Sequence, residues 1–108
     1  MADARPRVRV PKKAKKGDVI QIKTLISHPM ETGQRRNEQG EILPRKIINR
    51  FVCTLNGKEV FSVDLQPGIS SNPYLVFDVR VMESGTFEFT WTDDDGTVHK
   101  KSAKIEVS

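Results

Sequence analysis

Residues 46–65 read KIINRFVCTLNGKEVFSVDL. Phe51, Cys53 and Leu55 fall on one face of an extended chain, with Arg50 and Thr54 opposite. A period of two marks a half-buried strand. Asn56-Gly57 follows at once, and this pair suits the two positive φ angles of a type I′ turn. Beyond it Phe61, Val63 and Leu65 alternate with Ser62 and Asp64. The stretch is predicted to be a β-hairpin, one strand over 46–55 and its return over 58–65.

The same period runs outward on both sides. Upstream, residues 18–26 place Ile20, Ile22, Thr24 and Ile26 on one face, with Gln21 and Lys23 on the other. Residues 5–10 alternate basic and apolar, which predicts a short edge strand ended by Pro11. Residues 12–16 read as a charged connector. Downstream, residues 74–81 turn Leu75, Phe77, Val79 and Val81 inward. Residues 86–92 do the same with Phe87, Phe89 and Trp91, and residues 98–107 with Ala103, Ile105 and Val107. No stretch has a helical period. Short strands divided by turn signals predict an all-β fold, an immunoglobulin-like antiparallel β-sandwich of about seven strands. An open barrel of the oligonucleotide-binding type is the alternative.

A chain of 108 residues is one domain. Its net charge of +4 is unevenly spread. Residues 1–17 carry seven basic residues against Asp3, and the remainder is slightly acidic. The division expected is a basic N-terminal arm over 1–17 and the sandwich over 18–108. The arm raises a second functional reading, a small basic β-barrel nucleic-acid-binding protein. It has no interleaved aromatics of the kind that stack on single strands. Neither a signal-peptide apolar run of about 7–15 residues nor a span of about 20 is present. On composition alone the expectation is a soluble cytoplasmic protein with no membrane partner.

Catalytic chemistry finds little support. Cys53 lies mid-strand on the face of Phe51 and Leu55, where a thiol is inert. His28 and His99 show no metal-ligand spacing. Residues 93–96, DDDG, lack the ligand pattern of a calcium loop and read as a tight turn. The expectation is a non-enzymatic domain without cofactor or metal.

Two loops stand out. Residues 27–45, SHPMETGQRRNEQGEILPR, exceed the length usual for a connection in a compact domain. Pro29 fixes its own φ and extends His28, and Gly33 permits a positive φ. The second loop, over 69–73, leads to Asn72-Pro73-Tyr74 with an aromatic anchor. Loops held ready in this way lower the entropic cost of docking. The expected partner interface is His28, Pro29, Met30, Glu31, Thr32 and Gly33 with Asn72, Pro73 and Tyr74.

Six segments carry a family resemblance: KTLISHPMETGQRR from Lys23, ILPRKIINRF from Ile42, LNGKEVF from Leu55, QPGISSNPYLVFDV from Gln66, SGTFEFTWTDDDG from Ser84, and KIEV from Lys104. Together they resemble the SoxZ family of the thiosulfate-oxidation (Sox) system. The resemblance covers residues 23–107. It implies an immunoglobulin-like sandwich and a partner, SoxY, which carries sulfur on a cysteine in a flexible Gly-Gly-Cys-Gly-Gly tail. The final residues, KIEVS, carry no cysteine or Gly-rich run, so the expectation is that the partner bears the substrate. The resemblance further implies transient contact with the Sox cytochrome, hydrolase and sulfane dehydrogenase, and no nucleic acid. It also implies a periplasmic location without a signal peptide of its own, reached by co-export with SoxY. On location the family reading reverses the one from composition.

Overall fold

The computed structural model describes residues 5–28, 30, 31, 33, 34, 36–66 and 72–108. Its strands are β1 (Pro6–Arg9), β2 (Lys13–Ala14), β3 (Val19–Ile26), β4 (Ile48–Leu55), β5 (Lys58–Asp64), β6 (Tyr74–Arg80), β7 (Gly85–Asp93) and β8 (Val98–Val107). They build two separate sheets, ordered β1-β3-β6 and β2-β8-β7-β4-β5. This is an all-β sandwich compatible with the immunoglobulin-like expectation. Among the described residues no strand pairing links the two sheets, so they form a two-layer sandwich and not the single rolled sheet of the open-barrel alternative.

The strand absent from the sequence reading is β2. Two residues carry no period, and Lys13-Ala14 sits in a run of lysines. Partners create it: Lys13 and Ala14 pair in parallel with Glu106 and Val107. Ser108 N–H donates to the Ala14 carbonyl at 3.1 Å, and Lys16 N–H to the Ser108 carbonyl at 3.0 Å. Together β1 and β2 stitch the basic segment into both sheets.

The expected faces hold. Ile20, Ile22, Thr24 and Ile26 are buried on β3, and Phe51, Cys53 and Leu55 on β4. Phe87, Phe89 and Trp91 are fully buried on β7. Between the sheets Phe51 meets Trp91 at 5.1 Å between ring centroids, Phe77 of the opposite sheet at 5.8 Å, and Phe61 at 6.2 Å. Phe61 and Phe77 stack at 4.2 Å. Edge and offset ring contacts of this kind add to burial. Cys53 lies in this apolar layer, and burial pushes its thiol up to about 12.

The hairpin turn forms as expected, with φ of 52° at Asn56 and 82° at Gly57. Asn56 does more than turn the chain. Its Oδ1 accepts from Thr86 N–H at 3.0 Å, and its Nδ2 donates to the Ser84 carbonyl at 3.1 Å. The amide lies against Gly85, where a Cβ would collide with it. The β4–β5 turn is thus pinned to the start of β7.

Phe51 touches both sheets, so Phe51→Ala should lower stability by about 3–5 kcal/mol in denaturant unfolding, the range for large aromatic truncations. In the native protein Cys53 should react with a thiol reagent only on the timescale of unfolding.

Candidate functional site

The described residues of the long loop form a two-armed finger. The inward face of β3 continues past Ile26 to His28, which is 6% exposed. Met30 follows, buried, at a φ of 54°. The chain then leaves the sandwich. Glu31 and Lys46 exchange backbone hydrogen bonds of 2.8 and 2.7 Å, and Arg36 bridges to Ile42. Asn37 closes the tip: its Oδ1 accepts from Gln39 and Glu41 N–H, both at 3.0 Å. Arg36 donates to the Gly40 carbonyl at 2.7 Å. Gly33, with φ 84°, faces the returning arm. A Cβ there would sit 3.1 Å from that of Arg45, so glycine lets the two arms close.

Three consecutive aspartates hold the base. The Nδ1 of His28 accepts from Met30 N–H at 2.9 Å. That leaves the proton on Nε2, which donates to Asp93 Oδ2 at 2.7 Å. Both groups are sealed from water. Asp94 accepts from Arg45 Nε at 2.8 Å and Nη2 at 3.1 Å, from Asn49 at 3.0 Å, and from Ile47 N–H at 3.1 Å. Its carboxyl is held well below the usual carboxylate range, chiefly by the Arg45 hydrogen bond, against a smaller opposing effect of burial. Asp95 is lowered to about 2, first by its bonds from Thr97 and then by Lys46, 3.3 Å away. On the β4 side, Ile48 N–H donates to the Met30 sulfur at 3.3 Å.

The two loops singled out from sequence meet here. His28 N–H donates to Asn72 Oδ1 at 2.8 Å, and Asn72 N–H returns to the His28 carbonyl at 2.7 Å. Asn72 holds a φ of 55° to do this. The next residue, Pro73, is buried, and its carbonyl accepts from Ile26 N–H at 3.3 Å. The sequence list therefore divides by role. His28, Met30, Asn72 and Pro73 anchor the backbone, Glu31 and Gly33 form the finger's stem, and Tyr74 is 57% exposed. Pro29, Thr32 and residues 69–71 lie outside the described residues.

Sequence reading missed the anchors Asp93, Asp94, Asp95, Arg45 and Asn49, and the exposed tip residue Ile42 (57%). A signal existed. A tight turn needs one Asp or Asn, and three adjacent carboxylates repel unless cations or N–H groups receive them.

Residues 8–104 match the family model described as sulphur oxidation protein SoxZ. No curated protein matches. Among solved structures, a superoxide reductase (neelaredoxin) from Ignicoccus hospitalis aligns with a TM-score of 0.72 at 17% identity, over 95% of this chain and 80% of that one. The sulfur carrier protein SoxY from Chlorobium limicola f thiosulfatophilum aligns with a TM-score of 0.66 at 13% identity, over 95% and 78%. At these identities the likeness is one of fold.

Asp93→Ala leaves the buried Nε2–H of His28 unpaired and should cost about 1–3 kcal/mol in denaturant unfolding. Asp94 and Asp95 have lowered pKa values, so folding favours their ionised forms. Their contribution is complete above the unfolded carboxylate value of about 4 and is lost as pH falls through the lowered values. Amide protection factors at residues 45–47, corrected for the intrinsic exchange rate, should therefore fall below about pH 4, and Asp94→Asn should flatten that dependence.

Proposed function

From the premise that the chain belongs to the SoxZ family, we propose that it is the non-catalytic subunit of a two-chain sulfur carrier for thiosulfate oxidation. Its SoxY-like partner bears the substrate on a cysteine. This chain stabilises that partner and offers docking surface to the Sox cytochrome that loads thiosulfate, the hydrolase that releases sulfate and the sulfane dehydrogenase. The pair works in the periplasm, where this chain arrives by co-export with the partner.

The observation that carries the reading beyond the family match is the state of Cys53. A sulfur carrier needs an accessible thiolate. Cys53 has no exposed surface, and burial pushes its thiol up to about 12. The covalent sulfur therefore belongs on another chain. The anchored finger supports the docking part. Its base is fixed through His28, Asp93 and Asp94, while Ile42 and the charges of Arg36, Glu38 and Glu41 are displayed at or near the tip. A tip fixed before contact loses less entropy on binding.

Native mass spectrometry of the chain isolated from the periplasm should give a complex with a cysteine-tailed subunit. A free monomer confined to the cytoplasm would overturn the carrier role. Replacing residues 37–42 by a Gly/Ser turn should leave that complex intact and slow turnover by the Sox enzymes about tenfold or more, a loss of one or two interface contacts. Unchanged turnover would remove the finger's docking role and leave the carrier reading standing.

A further inference from the structure

The three-stranded sheet ends in β1, which pairs with β3 on one side and, among the described residues, has no strand on the other. The outward residues of β1 are Arg7 and Arg9. Register sets Arg7 beside Leu25 and Arg9 beside Lys23, and β6 adds Tyr74 and Val76 to the same two rows. Arg7, Arg9, Lys23, Leu25 and Tyr74, with Lys101 of β8, line an open groove of 540 Å³. Among the described residues, no acidic one lines it. Among the described residues, none of the four cations has a hydrogen bond or ion pair.

We propose that this groove receives an extended acidic segment of a partner protein, laid along the free edge of β1. Strand rise puts Arg7 and Arg9 about 6.7 Å apart, and an extended segment presents its own same-face side chains at that spacing. Acidic residues at alternate positions therefore meet Arg7 and Arg9 in step, with Lys23 and Lys101 flanking. The unpaired edge supplies backbone hydrogen-bonding groups for strand addition. The same charges select the guest. Cations on an edge block pairing with neutral or basic strands, so the β1 of a second copy is repelled while an acidic strand is admitted. Tyr74 is the sole aromatic among the described residues lining the groove, which offers no succession of stacking surfaces there for single-stranded nucleic acid. The inference stands apart from the sulfur-carrier role and does not depend on it.

The test titrates the full chain with fluorescein-labelled alternating Glu-Val peptide, its Gln-Val counterpart and an oligothymidylate, read by anisotropy. The Glu-Val peptide should bind at least about tenfold tighter than Gln-Val at about 0.01 M salt, and weaken at about 0.15 M as the screening length shrinks from about 30 Å to about 8 Å. Arg7→Glu/Arg9→Glu should weaken it about tenfold or more. Lys101→Glu lies on the other sheet, leaves β1 pairing untouched, and should weaken it as well. Amide shifts should concentrate at residues 7–9 and 23–25. Equal binding of the Gln-Val peptide, tighter binding of oligothymidylate, or unchanged affinity in Lys101→Glu would each overturn the proposal.

Discussion

A 2.7 Å hydrogen bond between His28 and Asp93, closed off from water, fixes where the long excursion leaves the sandwich. It joins the end of β3 in one sheet to the end of β7 in the other. The stem of the finger starts from that joint, at Met30 and Glu31. Because the bond from Met30 occupies Nδ1, the imidazole has one proton and one orientation. The turn is held there, and Asp94 and Asp95 face Arg45 and Lys46 as the chain returns. Exposed ion pairs of this kind contribute little singly. Here the Asp94 pair is bidentate and shares its carboxylate with Asn49 and a backbone N–H, so position rather than stability is its main product.

Behind the joint is an apolar layer with rings from both sheets. Phe51, Phe77, Phe89 and Trp91 lock strand against strand, and Phe61 closes the side toward β5. Cys53 belongs to this layer. Its packing and its chemical silence have one cause, since the surroundings that exclude water also disfavour the thiolate. Cys53 itself is thereby kept out of thiolate chemistry.

Charge is divided in a comparable way. Cations at the finger's base are paired with aspartates, whereas those along β1 are without partners among the described residues. The first set spends its charge on shaping the chain. The second presents charge outward on a sheet edge, with Arg7 in the row of Leu25 and Tyr74, two residues on from Asn72.

Periodicity alone was enough for the layer structure. Alternation of apolar residues specified β3, β4, β6, β7 and β8 and their buried faces, because a strand's two faces follow from chemistry at every second residue. Asn56-Gly57 specified its turn for the local reason that two positive φ angles suit that pair. The motifs also carried the family. What lay beyond a linear reading was anything made by residues far apart. The strand β2 exists because β8 is there to pair with it. His28 looked like a loop residue open to a partner, and it is buried because Asp93, sixty-five positions away, meets it. Three aspartates looked like a plain turn until Arg45, Asn49 and Lys46 arrived from the other side. Local rules fix what each segment prefers, and only the packed chain brings distant charges and donors within hydrogen-bond reach, where their energies depend on separation and burial.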